Sequence, residues 1–367
     1  MTILLTGATG FIGGAIAENL LQRDLLGSTR FTVRAGSHEE GLERLRHNLA
    51  RFDIPAPALA ALKPSQVILY DLTDTAVPDL GNPEVVVNCA ALATFSNHPR
   101  LWETNVDGVV RFARALEGKA SLKRFIQLGT AMSCGGYNDG RLVRAAWDVP
   151  PREQHAVPYT HSKGMAELAL RDSASLPLVV ARPSIVVGHS RLGCRPSGSI
   201  YWLFRIVALL QAFTCRLEDR VDVLSVDDCA EAIMRLALQP VLQHDLYHVS
   251  SGDAQAAHIG AIYATLRGAG DPDAIERELA EYRYLDTIDE KALARRFIAL
   301  SGEGNIRLVA RAIHLYARFG KMNYVFDNSA LVADTGFQPR SLASYLDACM
   351  TTAASESILE QMRWDYK

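Results

Sequence analysis

Three glycines spaced three apart, Gly7, Gly10 and Gly13, follow the apolar run Ile3–Thr6 directly. Residues 14–22 then carry apolar side chains with helical spacing. A strand, a glycine turn and a helix in that order leave few folds open. Gly7 permits the tight turn, Gly10 lets backbone approach a pyrophosphate, and Gly13 lets the helix pack on the strand. The helix N-terminus presents unpaired N–H groups and the positive end of its dipole to phosphate. Thr9, Phe11 and Ile12 fill the loop, so Gly7, Thr9, Gly10, Phe11, Ile12 and Gly13 are the expected phosphate-side contacts.

Short apolar runs recur at residues 31–34, 66–70, 85–88, 125–128 and 178–181. The run Val85–Asn88 is apolar enough for burial on both faces. Between the runs lie helical patterns, clearest at residues 38–52, where Leu42, Leu45, Leu49 and Phe52 share one face. The alternation predicts an α/β fold, a Rossmann doubly wound parallel sheet. Beyond Gly188 the rhythm changes. Pro196 and Gly198 break the chain, and residues 200–213 read as an apolar helix, buried or lining a pocket. Arg205 interrupts that stretch, which is too short to span a bilayer; contact with a membrane surface stays open. Val226–Leu238 reads as a helix capped by Asp227 or Asp228, and Leu246–Val249 as a late strand returning to the sheet. The expected organisation is a dinucleotide-binding domain over 1–190, rejoined by 221–250. A smaller, mostly helical lobe for substrate comprises 191–220 and 251–367.

A formal net charge of −3 over 367 residues gives the chain no electrostatic reason to seek nucleic acid. The six cysteines, Cys89, Cys134, Cys194, Cys215, Cys229 and Cys349, show no metal-ligand spacing. Reduced thiols in a cytoplasmic protein, without a metal, are the expected state. The apolar N-terminus lacks the basic flank of a signal peptide.

At the end of the second strand an acidic residue would accept a ribose 2′-hydroxyl, whereas this chain has Arg34, suited to a 2′-phosphate and hence to NADP(H). Arg44 is a further candidate there. Asp71 and Leu72, after the third strand, are placed for the adenine. Asn88, Ala90 and Ala91 follow at the strand edge where cofactors bind, with Cys89 among them as a small buried filler. Asn105 is expected to bond backbone and order the site. Pro183 with Ser184 or Ile185 is expected against the nicotinamide.

Tyr159 and Lys163, four apart, share a helix face. A phenol ionises near pH 10, and a neighbouring ammonium is expected to lower that. Tyr159 then serves as proton donor in reduction, or acceptor in oxidation, and Lys163 reaches the ribose. Thr130 supplies the hydroxyl that steadies the substrate oxygen, with Ser133 second in line. His161 is expected in solvent, and Cys134 lacks a base that would make it a nucleophile.

The glycine loop, Asn88-Cys-Ala-Ala91, the Tyr159/Lys163 pair and Arg182-Pro183 together resemble the extended short-chain dehydrogenase/reductases over about the first 250 residues. The resemblance implies a Rossmann fold and catalytic roles for Thr130, Tyr159 and Lys163. Val33-Arg-Ala35 with Glu43-Arg-Leu45, Arg182-Pro-Ser-Ile-Val186, Ser197-Gly-Ser-Ile-Tyr-Trp202 and Val223-Leu-Ser-Val-Asp-Asp228 are most similar to the thioester reductase and fatty acyl-CoA reductase branch. Two departures stand out: Gly129-Thr130 replaces a serine followed by serine or threonine, and Leu224-Ser-Val226 a proline-containing version. The branch implies NADPH-dependent reduction of an acyl thioester to aldehyde, and on to alcohol if a second hydride follows. No adenylation or carrier domain accompanies the motifs, so the acyl group is expected from a separate carrier protein or CoA. Reduction of a ketone or aldehyde, or sugar-nucleotide epimerisation or dehydration by the same triad, is the alternative. A catalytically silent NADP-sensing module is a third reading.

Overall fold

The computed structural model describes residues 1–136, 142–172, 176–321 and 323–365. Seven strands form one sheet: β1 (Ile3–Thr6), β2 (Thr29–Val33), β3 (Val67–Leu69), β4 (Val85–Asn88), β5 (Arg124–Leu128), β6 (Leu178–Pro183) and β7 (Leu246–Val249). Their order is β7-β6-β5-β4-β1-β2-β3, and every pairing is parallel. The order reverses between β1 and β4, and a doubly wound sheet opens its ligand crevice at that point.

Successive strand residues face opposite sides, so each central strand feeds two cores. Leu5, Val87 and Ile126 join one core with Ile16 and Leu20 of α1 (Phe11–Gln22) and Leu45 of α2 (His38–Ala50). Leu4, Val86 and Phe125 join the other with Ala166 and Leu170 of α3 (Pro158–Arg171). This two-sided burial explains why the strands read as unbroken apolar runs.

The expected 200–213 helix is shorter in the structure. The helix α4 is Tyr201–Leu210; Gln211 then turns left-handed at φ 51°, and Ala212–Phe213 is a short strand. The cap of α5 (Val226–Leu238) also differs from expectation. Ser225 is the N-cap, its Oγ accepting from Asp228 N at 3.3 Å. Asp227 instead accepts from Ser190 N at 2.8 Å and pairs with Arg340. Further on come α6 (Ile259–Leu266), α7 (Glu290–Ser301) and α8 (Ile306–Gly320). Asn305 caps α8 through its side chain, and Val309, Ala312, Ile313, Tyr316 and Ala317 make its buried face. That face packs with Leu293 and Phe297 of α7 and Trp202 and Ile206 of α4 as a separate core. Among the described residues no helix is long and apolar enough to cross a membrane.

Candidate active site

At the phosphate loop the backbone is packed more closely than any side chain would allow. Gly7 has φ 71°, and a Cβ there would lie 2.9 Å from Ala90 N. A Cβ on Gly13 would lie 2.2 Å from Gly7 O, so only glycine lets α1 meet β1 this closely. Asn48 of α2 braces the loop, donating to Ala8 O at 2.9 Å and Gly10 O at 3.1 Å. No side chain caps the N-terminus of α1, which leaves its N–H groups for an anion.

Of the expected contacts, Gly7, Thr9, Gly10, Phe11, Ile12, Gly13, Arg34, Arg44, Asp71, Leu72, Ala90, Ala91, Lys163, Pro183 and Ser184 line one cleft of about 660 Å³, together with Thr130 and Tyr159. Three expected site residues lie outside this cleft, although Asn105 does bond backbone as expected. Asn88 is fully buried behind the cleft, accepting from Thr6 Oγ1 at 2.6 Å and donating to Gln127 Oε1 at 2.8 Å, a tie across β1, β4 and β5. Asn105 is equally buried. It accepts from Leu92 N at 2.8 Å and donates to Leu92 O and Ser162 Oγ, both at 3.2 Å, holding the loop after β4 against α3. Ile185 faces the second cavity described below. Cys89, expected as buried filler, is half-buried and lines the cleft; burial pushes its thiol up to about 12.

Arg34 is largely exposed, its Nη1 3.5 Å from Asp71 Oδ2, and its carbonyl accepts from the Arg44 guanidinium. Asp71 Oδ1 accepts from Thr73 N at 2.9 Å and Thr73 Oγ1 at 2.8 Å. Burial opposes ionisation of Asp71, but these bonds and the Arg34 charge hold it below the usual carboxylate range.

Pro158 starts α3 at a position where its missing N–H costs nothing, and Tyr159 and Lys163 follow on the cleft face. Their electrostatics reverse the sequence expectation for the phenol. Burial, with Glu167 adding to it, pushes Tyr159 up to about 12, and burial pushes Lys163, 2% exposed, down to about 8. Each shift has the same origin: a charge inside the protein lacks water. Thr130 lies two residues past the end of β5 and caps the next turn, its Oγ1 accepting from Met132 N at 3.3 Å. Ser133 is fully buried and lines neither cavity, which leaves Thr130 as the hydroxyl beside Tyr159. His161 is half-buried against Trp102 and His155, not solvated. Cys134 is pushed up to about 11 by burial and is no thiolate.

A second cavity, about 230 Å³, shares Thr130, Tyr159, Ser184, Val186 and Ser199 with the first. Away from that shared mouth its walls are mostly apolar: Ile200, Leu203, Phe204 and Val207 from the α4 stretch, Ile259, Ile262 and Leu266 from α6, and Phe319 and the half-buried Phe95. The apolar stretch singled out in the sequence therefore both packs a core and lines a pocket. Val186 and Ser199, the latter at φ 49°, are the residues of both cavities that pattern reading missed; the available signals were Val186's place just after Pro183–Ile185 and Ser199's just ahead of α4. No cluster of three or more metal-ligating side chains occurs among the described residues.

Residues 5–233 match a family model described as Male sterility protein, an NAD-binding family. The nonribosomal peptide synthetase hkm10 of Aspergillus hancockii is 24% identical over 269 residues, covering 67% of this chain and 26% of that protein. The aldehyde reductase lnaA of Aspergillus flavus is 24% identical over 250 residues, covering 64% of this chain and 24% of that one. The chain thus spans about a quarter of the length of these relatives. Among solved structures, the terminal R domain from the myxalamid PKS-NRPS biosynthetic pathway superposes with a TM-score of 0.76 at 19% identity, covering 96% of this chain and 90% of that one. That likeness is one of fold.

Proposed function

The chain belongs to the Male sterility protein family of NAD(P)-binding extended short-chain dehydrogenase/reductases, and from that premise we propose that it is an NADPH-dependent reductase of acyl thioesters. The observation that carries this reading is the apolar cavity opening on Thr130 and Tyr159 beside the cofactor cleft. A thioester carbonyl held at the shared mouth places an acyl chain among Leu203, Phe204 and Ile262. A sugar nucleotide would instead bring a diphosphate into that space, where the lining arginine, Arg220, is already paired with Asp253 at 2.7 Å. Arg34, standing where an acid would read a 2′-hydroxyl, supports NADPH.

The bound nicotinamide would supply hydride. Thr130 and Tyr159 donate to the carbonyl oxygen as charge develops on it. Tyr159, protonated at neutral pH, delivers its proton there. Collapse of the resulting adduct releases thiol and aldehyde, and a second hydride gives alcohol. The thiol belongs to a carrier protein or CoA, in keeping with the peptide synthetase among the relatives.

The test is NADPH oxidation, with product identification, against thioesters of rising chain length, aldehydes and ketones. Thioesters are expected to yield aldehyde or alcohol. Each added methylene is worth about 0.8 kcal/mol, roughly fourfold in kcat/KM, until the cavity is full. Tyr159→Phe is expected to lose at least about 100-fold. Turnover of simple ketones with thioesters untouched rejects the thioester reading, and full activity in Tyr159→Phe rejects the catalytic assignment.

A further inference from the structure

Glu167 stands one helical turn beyond Lys163 and two beyond Tyr159, on the same face of α3. It is fully buried, as is its partner Arg182 at 2% exposure. Glu167 Oε2 accepts from Arg182 Nε at 2.8 Å, with Arg182 Nη2 at 2.7 Å, and Arg182 Nη1 donates to Ala146 O at 2.9 Å. The pair joins three of the elements that carry the site. Glu167 shares α3 with Tyr159 and Lys163. Arg182 directly precedes Pro183, a wall of the cofactor cleft. A Cβ on Gly129 would lie 1.9 Å from Glu167 Oε1 and 3.1 Å from Arg182 Cγ, so the ion pair packs directly against the backbone leading into Thr130.

Buried ion pairs are poor sources of net stability, since an apolar pair of similar volume often does as well. Placement and charge are what this one supplies. We propose that Glu167 and Arg182 are positioning residues, their ion pair locking Tyr159, Lys163, Thr130 and Pro183 into one frame. The titratable groups acting on Lys163 are Glu167 from its own helix and Cys89 from the loop after β4. Burial is the larger influence on Lys163, and the Glu167 carboxylate is the main charge opposing it. Arg182 of β6 offsets part of that charge. His248 of β7, beside Arg182, contributes none at neutral pH because burial pushes it down to about 3.

Only the kinetic arm of the test rests on the reductase reading. The chain has seven lysines, few enough to follow Lys163 by NMR of carbon-13-labelled lysine in the cofactor-free protein, assigned by its loss in Lys163→Met. Wild type is expected to titrate at about 8. Glu167→Gln is expected to lower that by at least about one unit, tenfold in proton affinity. Turnover is expected to fall at least about tenfold, and its high-pH limb to move down with the lysine. A Glu167→Met, Arg182→Met double variant, checked for folding by circular dichroism, tests placement without leaving an orphaned charge, and is expected to keep its fold and lose turnover. The proposal is overturned if folded Glu167→Gln leaves both the Lys163 titration and kcat unchanged, or if the double variant works with the wild-type rate and pH profile. Should wild type reduce no thioester, the reductase reading fails, while the lysine titration still decides for or against the ion pair.

Discussion

Replacing Lys163 by methionine should make the protein more stable and less active at once. The ammonium is 2% exposed, and its titration drops from 10.5 to about 8. At about 1.36 kcal/mol per unit, holding that charge inside costs the fold about 3 kcal/mol. The folded state binds the proton less tightly than the unfolded chain. The penalty is therefore fully present below about pH 8, shrinks as pH rises, and is gone above the unfolded value of 10.5. Methionine keeps the apolar stem and removes the charge. Part of the gain is returned because Glu167 loses a favourable neighbour, though Arg182 still pairs with it. Lys163→Met is thus expected to gain about 2 kcal/mol at neutral pH, from urea unfolding at about pH 7, and under about 1 kcal/mol by about pH 9.5. Turnover of the variant should be nearly abolished. A variant less stable than wild type at neutral pH, or a stability difference that does not change with pH, refutes the reasoning.

Arg34→Ala removes a charge-assisted contact worth about 1.5–3 kcal/mol, so NADPH affinity is expected to fall about 10- to 100-fold while NADH affinity stays put. Fluorescence titration of the two cofactors checks this, and equal losses contradict the 2′-phosphate assignment. Leu203→Trp adds bulk to the wall of the apolar cavity; long acyl thioesters should lose turnover while short ones keep it, read as kcat/KM against chain length. An unchanged chain-length profile would place the acyl group elsewhere.

The strands were legible because burial on both faces favours runs of apolar residues, as in Val85, Val86 and Val87 of β4. The Gly7-x-x-Gly10-x-x-Gly13 loop and the Tyr159/Lys163 spacing were legible because each obeys a short-range rule. The misses share a physical cause: they depend on which way a residue points once the sheet is assembled. Asn88 sits opposite Thr6 in the β1–β4 register and turns inward to meet it, where pattern reading aimed it at the cofactor. Pro183 ends β6 in the cofactor cleft; two residues on, Ile185 pairs with Val223 outside the main sheet and joins the apolar cavity. Ser225, Asp227 and Asp228 are all competent caps, and only the extended backbone at Ser225 selects it. The Tyr159 shift was unreadable because its causes, burial and the Glu167 charge, are invisible to the Tyr159/Lys163 spacing. Glu167 lay in view at the next turn of the helix, yet its meaning depends on Arg182, delivered by another strand.

The Tyr159 shift bears on how the proton is handed over. Reducing a carbonyl consumes one proton at its oxygen, and a phenol held at about 12 is fully protonated to provide it. Oxidising an alcohol by the same route needs the phenolate first. From about 12, reaching it near neutrality costs about 7 kcal/mol at 1.36 per unit. Lys163, pushed down but still mostly cationic at neutral pH, remains able to stabilise the phenolate left after proton delivery. Burial therefore keeps the donor protonated, and it makes the phenolate costly in both directions, as the product of reduction and the reactant of oxidation, so that either direction calls on the Lys163 charge to offset it.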